Sequence, residues 1–368
     1  MRITLFISCA SGGGAERVVC NLANYLVGKH HDVTLLLVSD EKSYYIDERV
    51  RCVCLKRPSD KRLPHVMINA LRFIRLNRYL RKEEQDVYVT FLPKLTGLLL
   101  GQRKFFSALV ILAERADPGT YCRSSEKNRK NFEKHYPLAD GYVFQTEDAR
   151  EFYQNAGINT ENSVVIPNAI NPAFVGKAYK GVRSKRVVGV GRLDAQKNFS
   201  LLIESFALLK ETVPEYNLVI YGEGPQRAEL QQKIEDLGLC EGVSLPGRTD
   251  NIIDAIKDSS LFVLSSDYEG MPNALAEAMA LGIPSISTDC PAGGSKFLIK
   301  NGKNGILVPM KDPEAMASAM KKILTDGELA EQLSRNAVKI ADELTAEKTY
   351  GAWEEFIVKM VKTQRVEK

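Results

Sequence analysis

Short apolar runs and amphipathic stretches alternate along the whole chain. Residues 2–8 are almost continuously apolar. Residues 15–26 then carry Val18, Val19, Leu22, Ala23, Tyr25 and Leu26 at helical spacing, stop at Gly28, and give way to the apolar run 32–38. Apolar runs of this length, bounded by turn residues, suit strands buried on both faces. Strand, glycine turn, helix and strand in so short a span make a βαβ unit. Further strands are expected at 50–55, 87–92, 108–113, 140–145 and 163–167. The stretch 171–185, NPAFVGKAYKGVRSK, is polar and rich in Gly, Lys and Pro, as a linker would be. Beyond it the alternation restarts, with strands expected at 186–190, 218–221, 243–247, 261–264, 283–287 and 306–308. Helices are expected at 201–209, 273–281, 313–324, 328–341 and 346–361. The pattern predicts an α/β chain in two doubly wound halves: residues 1–170, the linker 171–185, residues 186–345, and a closing helix within 346–368.

Composition fits this picture. With 368 residues, 44% of them hydrophobic and 26% charged, the chain is too long for one small core and reads as two ordinary globular domains. No apolar run reaches the roughly 18–20 residues that cross a bilayer. The N-terminus, MRITLFISCASGGGAE, reads as a first strand, not a signal peptide. Seven scattered cysteines form no C-x-x-C pair, and with four histidines they point to a reduced, cytoplasmic setting without a structural metal.

Charge adds one feature. Residues 1–170 hold 25 Lys/Arg against 19 Asp/Glu, whereas the remainder holds 25 against 27, so the basic surface belongs to the first half. Residues 61–82, KRLPHVMINALRFIRLNRYLRK, contain seven Lys/Arg and no acid. Leu63, Val66, Met67, Ala70, Leu71, Phe73 and Ile74 supply an apolar face, and Arg72, Arg75, Arg78, Arg81 and Lys82 crowd the end. Such a helix either lies on an anionic membrane surface or packs into the core with its basic face solvated. A second basic region, 123–134, adds weight to the membrane reading. Nucleic acid is not an expected partner, since interleaved aromatics and known modules are missing.

The candidate chemistry centres on residues 267–293, DYEGMPNALAEAMALGIPSISTDCPAG. Pro272 suits a first helical turn, and 273–281 are good helix formers ended by Gly282. Glu269 and Glu277, eight positions apart, would lie about 80° apart on one continuous helix and so would not share a face. The preferred arrangement puts Glu269 on the loop and Glu277 one turn inside the helix. The amides of Asn273, Ala274 and Leu275 then point forward as a site for phosphate. Glutamates beside an anion would have sugar or ribose hydroxyls to hold.

This stretch resembles the signature of retaining nucleotide-sugar glycosyltransferases of family 4, which have the GT-B fold. Their pattern E-G-x-P-x-x-x-x-E-A-M-A-x-G-x-P is filled by Glu269, Gly270, Pro272, Glu277, Ala278, Met279, Ala280, Gly282 and Pro284. The family's G-R-L-x-x-x-K-N is complete from Gly191 to Asn198, and G-x-G-P-x-x-x-x-L runs from Gly222 to Leu230. Gly13-Gly14-Ala15-Glu16-Arg17 matches G-G-x-E-R. The resemblance implies two Rossmann-like domains facing a central cleft, with the last helix crossing back to the first domain through Trp353, Phe356, Ile357 and Met360. It implies that Arg192 and Lys197 clamp the donor diphosphate, Glu277 holds the ribose and Glu269 the sugar near its anomeric carbon. The amides of 273–275 and the glycines Gly13, Gly14, Gly222 and Gly270 would also serve the donor, and Gly247 and Arg248 would receive the nucleobase. Relatives often carry a histidine where this chain has Arg115, so that role does not transfer. Arg115 and Asp117, with Glu16 and Arg17, become candidates for the acceptor or sugar.

The expected reaction moves a hexose or N-acetylhexosamine from a UDP-sugar to a glycan or polyprenyl-diphosphate-linked acceptor. The expected place is the inner membrane face. No D-x-D metal motif is present, and fixed cations with a helix N-terminus can replace a metal, so neither metal nor cofactor is expected. A dinucleotide oxidoreductase would need G-x-G-x-x-G, whose third glycine is missing after both Gly189-Val-Gly191 and Gly222-Glu-Gly224. A non-catalytic sugar-nucleotide binder would be expected to have lost one of the charged residues, and all are present.

Overall fold

The computed structural model describes residues 1–57, 59–60 and 63–366. Lys61 and Arg62, the first two cations of the basic stretch, lie outside the described residues, as do Glu367 and Lys368 at the end of the closing segment. The chain divides into two compact units, Met1–Ala169 with Glu347–Lys368, and Ile170–Ala346.

The first unit has seven parallel strands: β1 (Arg2–Ile7), β2 (Asp32–Leu37), β3 (Arg51–Cys54), β4 (Val87–Thr90), β5 (Leu109–Ala113), β6 (Gly141–Phe144) and β7 (Ser163–Val165). Their order is β3-β2-β1-β4-β5-β6-β7. The second unit has β8 (Ser184–Val190), β9 (Asn217–Tyr221), β10 (Val243–Gly247), β11 (Ser259–Leu264), β12 (Ser285–Thr288) and β13 (Ile306–Val308), in the order β10-β9-β8-β11-β12-β13. Both sheets reverse direction once, between β1 and β4 and between β8 and β11. Ligands of open α/β sheets bind outside the carboxyl ends of strands at such reversals.

Alternating strand residues feed cores on both faces of the second sheet. Leu261 and Val263 of β11 join Val187, Phe206 and Met320 on one side, while Phe262 and Leu264 join Val188, Leu275 and Met279 on the other. That double burial explains why the strands read as continuous apolar runs.

Three segments differ from the sequence pattern. The stretch 171–183 is part of the second unit, not a solvated connector. The Tyr179 amide donates to Leu281 O, and the Arg183 guanidinium donates to the carbonyls of Lys257, Ser259 and Gly282. The helix expected at 328–341 is two, Gly327–Ala337 and Ile340–Glu343. In the basic helix His65–Lys82 the buried side chains are Ile68, Leu76, Tyr79 and Leu80, while Val66, Met67, Phe73 and Ile74 are exposed. Its apolar side chains are therefore divided between an inner and an outer face. The last helix, Ala346–Val366, stays with the first unit from Glu347 on: Trp353 lies 5.8 Å from Phe91, and Tyr350 5.8 Å from Tyr25.

Candidate functional site

In the second unit the loops after β8 and β11, the two strands flanking the reversal, are tied together. Asn198, in the left-handed region at φ 44°, ends the first loop and caps helix Phe199–Lys210 by accepting from the Leu201 amide at 3.2 Å. Its Nδ2 donates to Asp267 at 2.9 Å. The Asp267 amide donates to Gln196 O at 2.9 Å, Ser265 Oγ to Lys197 O at 2.9 Å, and Gln196 Nε2 to Tyr268 O at 3.1 Å.

This lattice sets Lys197 against Glu269, with Nζ 2.5 Å from Oε1. Ser266 Oγ donates to the same oxygen at 2.6 Å, and Gln196 Nε2 reaches Oε2 at 3.4 Å. Glu269 is only 5% exposed. Its backbone is held on both sides, its amide donating to Pro291 O at 2.6 Å and its carbonyl accepting from Ala292 at 2.9 Å. A buried ion pair adds little to stability, because desolvation offsets most of the attraction, so charged groups held this firmly beyond a strand's carboxyl end single out a candidate site. Arg192 stands at the rim, its side chain 68% exposed and 2.9 Å from Asp194. Neither Gln196 nor Ser266 was expected from the sequence. Their only signal was adjacency, Gln196 inside the G-R-L-x-x-x-K-N motif and Ser266 three residues before Glu269.

Helix Asn273–Ala280 begins where expected, with Pro272 in an extended conformation at its cap position. One of the three amides assigned to phosphate is not available as read from sequence. The Leu275 amide donates to Pro272 O at 3.1 Å, closing a tight first turn, and Leu275 itself is fully buried in the core. Asn273 and Ala274 remain at the helix start, half-buried, and Glu277 lies one turn in, also half-buried.

The glycines have largely internal reasons. A Cβ on Gly222, at φ 146°, would sit 1.8 Å from Gly191 O, so this position must be glycine for the chain's own backbone to pass. The Gly270 carbonyl similarly lies 1.9 Å from where a Cβ on Gly294 would be. Gly247 accepts from the Gly222 amide at 2.9 Å, and Arg248 beside it is exposed.

In the first unit, Gly13 precedes helix Gly14–Gly28, and Glu16 in its first turn turns back to accept from Ser8 Oγ at 3.0 Å. Arg17, also in the first turn, donates its amide to Gly13 O at 3.2 Å. Asp117 is a helix cap and not an open contact. It accepts from the amides of Gly119 and Thr120 at 3.0 and 2.9 Å and from Thr120 Oγ1 at 2.5 Å, and it is buried. Helix Pro118–Ser124 needs those amides satisfied, which accounts for an aspartate at this position.

Arg115 is different. Its guanidinium lies over the rings of Phe91 and Trp353 at 5.6 and 5.2 Å, and Nη1 donates to Asn168 Oδ1 at 3.2 Å. Nε and Nη2 are buried with no hydrogen-bond partner. Burial pulls its pKa down to about 10. Next to it, burial pushes the Glu114 carboxyl up, opposed by the Tyr153 hydroxyl at 2.7 Å and the amides of Ala116 and Arg115. Two further polar atoms, Gln145 Oε1 and Trp353 Nε1, are buried unmet near this residue set.

Comparison with known proteins agrees with the geometry. The family model for glycosyl transferases group 1 matches residues 176–340, and that for glycosyltransferase family 4 matches residues 12–174. A Campylobacter jejuni N-acetylgalactosamine-N,N'-diacetylbacillosaminyl-diphospho-undecaprenol 4-alpha-N-acetylgalactosaminyltransferase is 28% identical, over 91% of this chain and 93% of its own length. An Escherichia coli UDP-Gal:alpha-D-GlcNAc-diphosphoundecaprenol alpha-1,3-galactosyltransferase is 26% identical, over 88% of this chain and 87% of its own. In fold, the chain is similar to S. aureus TarM, solved with UDP, at a TM-score of 0.79 and 16% identity, covering 97% of this chain and 100% of that one. With both halves matched and two doubly wound sheets of the right order, the chain belongs to the family 4 type of glycosyltransferases with the GT-B fold.

Proposed function

We propose that the protein transfers a hexose or N-acetylhexosamine from a UDP-sugar to a hydroxyl of a glycan or lipid-linked acceptor in surface-polysaccharide assembly, keeping the anomeric configuration. The observation that carries this reading is the buried Lys197–Glu269 pair at the sheet reversal of the second unit. The sugar–diphosphate C–O bond breaks with its electron pair leaving on the diphosphate, a C–O bond to the acceptor oxygen forms, and the acceptor hydroxyl's proton passes to the departing diphosphate. Negative charge grows on the departing diphosphate. Lys197 has three N–H donors and gives one to Glu269, leaving two for that charge, and exposed Arg192 can swing in from Asp194. The Asn273 and Ala274 amides at the helix start add to the same field. Glu269, fixed by Ser266 and Gln196, accepts from sugar hydroxyls, and Glu277 from the ribose. In the second unit Gly247 and Arg248 would receive the nucleobase, and in the first unit Gly13 and Gly14 remain donor-binding candidates through the resemblance alone. Arg115, with two unmet buried donors, suits an oxygen of acceptor or sugar, and Glu16 and Arg17 flank it functionally on the acceptor side.

The lipid-linked acceptor draws support from the two relatives whose names carry diphospho-undecaprenol, and UDP from the one named for UDP-Gal. Such an acceptor calls for a peripheral position at an anionic membrane face, and no helix among the described residues is long and apolar enough to cross a membrane. Transfer without a divalent metal is part of the proposal, on the argument that the two cations Arg192 and Lys197 can meet the charge of the departing diphosphate. The test is nucleotide release from a panel of UDP- and GDP-sugars, with and without EDTA. Release from a UDP-sugar in EDTA is expected. No release from any donor would overturn the enzymatic reading, and activity restored only by magnesium or manganese would overturn metal independence.

A further inference from the structure

The motif G-R-L-x-x-x-K-N leaves positions 194, 195 and 196 open. Ala195 is exposed, but its two neighbours are tied to the charged groups of the site. Asp194 uses both carboxylate oxygens. Its Oδ2 lies 2.9 Å from Arg192 Nη2, and its Oδ1 accepts from the Lys197 amide at 3.2 Å. Gln196 reaches further. Its Oε1 accepts from Arg192 Nη2 at 3.4 Å, while Nε2 donates to Tyr268 O at 3.1 Å and to Glu269 Oε2 at 3.4 Å.

The carboxamide of Gln196 can sit only one way round. A guanidinium, which only donates, faces one end, and two oxygens that accept face the other. The backbone is held as well, since the Gln196 carbonyl accepts from the Asp267 amide at 2.9 Å. One side chain thus touches both the cation assigned to the diphosphate and the carboxylate assigned to the sugar.

The two oxygens of that carboxylate are unequal. Glu269 Oε1 takes the Lys197 ammonium at 2.5 Å and the Ser266 hydroxyl at 2.6 Å, which fills its two lone-pair sites. Among the described residues Oε2 has the Gln196 amide alone, at the long distance of 3.4 Å, and keeps an acceptor site open. Hydrogen bonds of a working site are often long without substrate and tighten when it is in place.

We infer that Gln196 is a positioning residue: it orients Glu269 so that Oε2, not Oε1, is the oxygen given to the donor sugar, and it ties that orientation to Arg192. The inference deepens the sugar-transfer reading and rests on it. Glutamine suits both tasks and its isostere does not. A glutamate at this position would set a second carboxylate against Glu269 Oε2 and Tyr268 O with no hydrogen to give, and would compete with the diphosphate for Arg192. A methionine would keep the bulk and lose every polar contact, while Asp194 would still hold Arg192 in place.

The test is nucleotide release from the preferred UDP-sugar, beside UDP affinity by calorimetry, on the wild type, Gln196→Met, Gln196→Glu, Glu269→Gln and the double variant Gln196→Met/Glu269→Gln. Gln196→Met should bind UDP, which has no sugar, within about threefold of the wild type, since no charged group is lost. Its kcat should fall roughly tenfold or more, the worth of one hydrogen bond to a charged group. In the Glu269→Gln background the same change should cost no more than about twofold, because a residue acting through Glu269 then has nothing left to position. Gln196→Glu keeps the shape of the side chain, so it reads the same point independently of packing. It should lose at least as much turnover and bind UDP more weakly as well. Wild-type turnover by either single variant at position 196, or losses that multiply in the double variant, would overturn the inference and leave sugar transfer intact. So would a Gln196→Met protein that loses UDP affinity and turnover equally, which is the mark of a collapsed loop. A wild type that releases no nucleotide from any donor would sink the transfer reading, and this inference with it.

Discussion

Replacing Lys197 by Met separates what the buried pair does for stability from what it does for reaction. At 2.5 Å the attraction is about 7 kcal/mol for an effective dielectric near 20. Desolvating two ions costs several kcal/mol each, so the intact pair is close to neutral in stability. Removing only the lysine is another matter. Glu269 stays almost wholly buried, with Ser266 as its one close side-chain donor, and an uncompensated buried charge costs about 3–5 kcal/mol. At about 2–4 °C per kcal/mol for a unit of this size, the second unit should melt at least roughly 6 °C lower. Adding Glu269→Gln removes the stranded charge and should restore most of that loss, a coupling of about 2 kcal/mol or more. Turnover should not return. Losing one fixed charge at the leaving group costs about 10²–10³ in kcat. Scanning calorimetry on the two single variants and the double, beside nucleotide-release rates, reads both quantities. If the double variant loses the sum of the singles, or if Lys197→Met melts with the wild type, the pair is not the buried, coupled unit described.

Other outcomes are equally definite. Glu277→Ala should abolish measurable UDP binding by calorimetry while leaving the fold intact, and unchanged affinity would remove its ribose role. Asp117→Ala should cost about 1 kcal/mol of first-unit stability by loss of the helix cap, with transfer kinetics unaltered. A large fall in kcat would return Asp117 to the reaction. Arg75 and the Arg57 amide hold the Asp60 carboxyl below the usual carboxylate range. A depressed folded value gives stability that is present above the unfolded pKa of about 3.9 and is lost as pH falls through the folded one. Asp60→Asn should therefore be less stable than wild type at neutral pH, with the two curves converging in acid. Parallel curves down to acid would show that the pair does not fix the basic helix.

Much of the fold was legible because parallel strands buried on both faces, such as β1, β2, β4, β5 and β11, are nearly unbroken apolar runs; β3 and β10 are only partly buried. What stayed hidden depends on partners far along the chain. The outward face of His65–Lys82 is set by Asp60 and by burial of Tyr79 against the first sheet, and apolar periodicity alone left both orientations open. The stretch 171–183 has linker composition, yet Arg183 is fixed by carbonyls 74 to 99 residues away. In the site, motif residues such as Lys197 and Glu269 stood out, but their mutual pairing across 72 residues did not. Asp117 read as a contact because a cap and an open carboxylate look the same until the amides of Gly119 and Thr120 are seen to point at it.

The central claim is that the loops after β8 and β11 carry out sugar transfer from a nucleotide donor. Its most direct test is nucleotide release from the preferred UDP-sugar by the wild type, Lys197→Met and Glu269→Gln side by side, with UDP affinity measured on each. The expected result is turnover by the wild type, a fall of about 10² or more in both variants, and UDP still bound by Glu269→Gln. Wild-type rates in both variants would contradict the account.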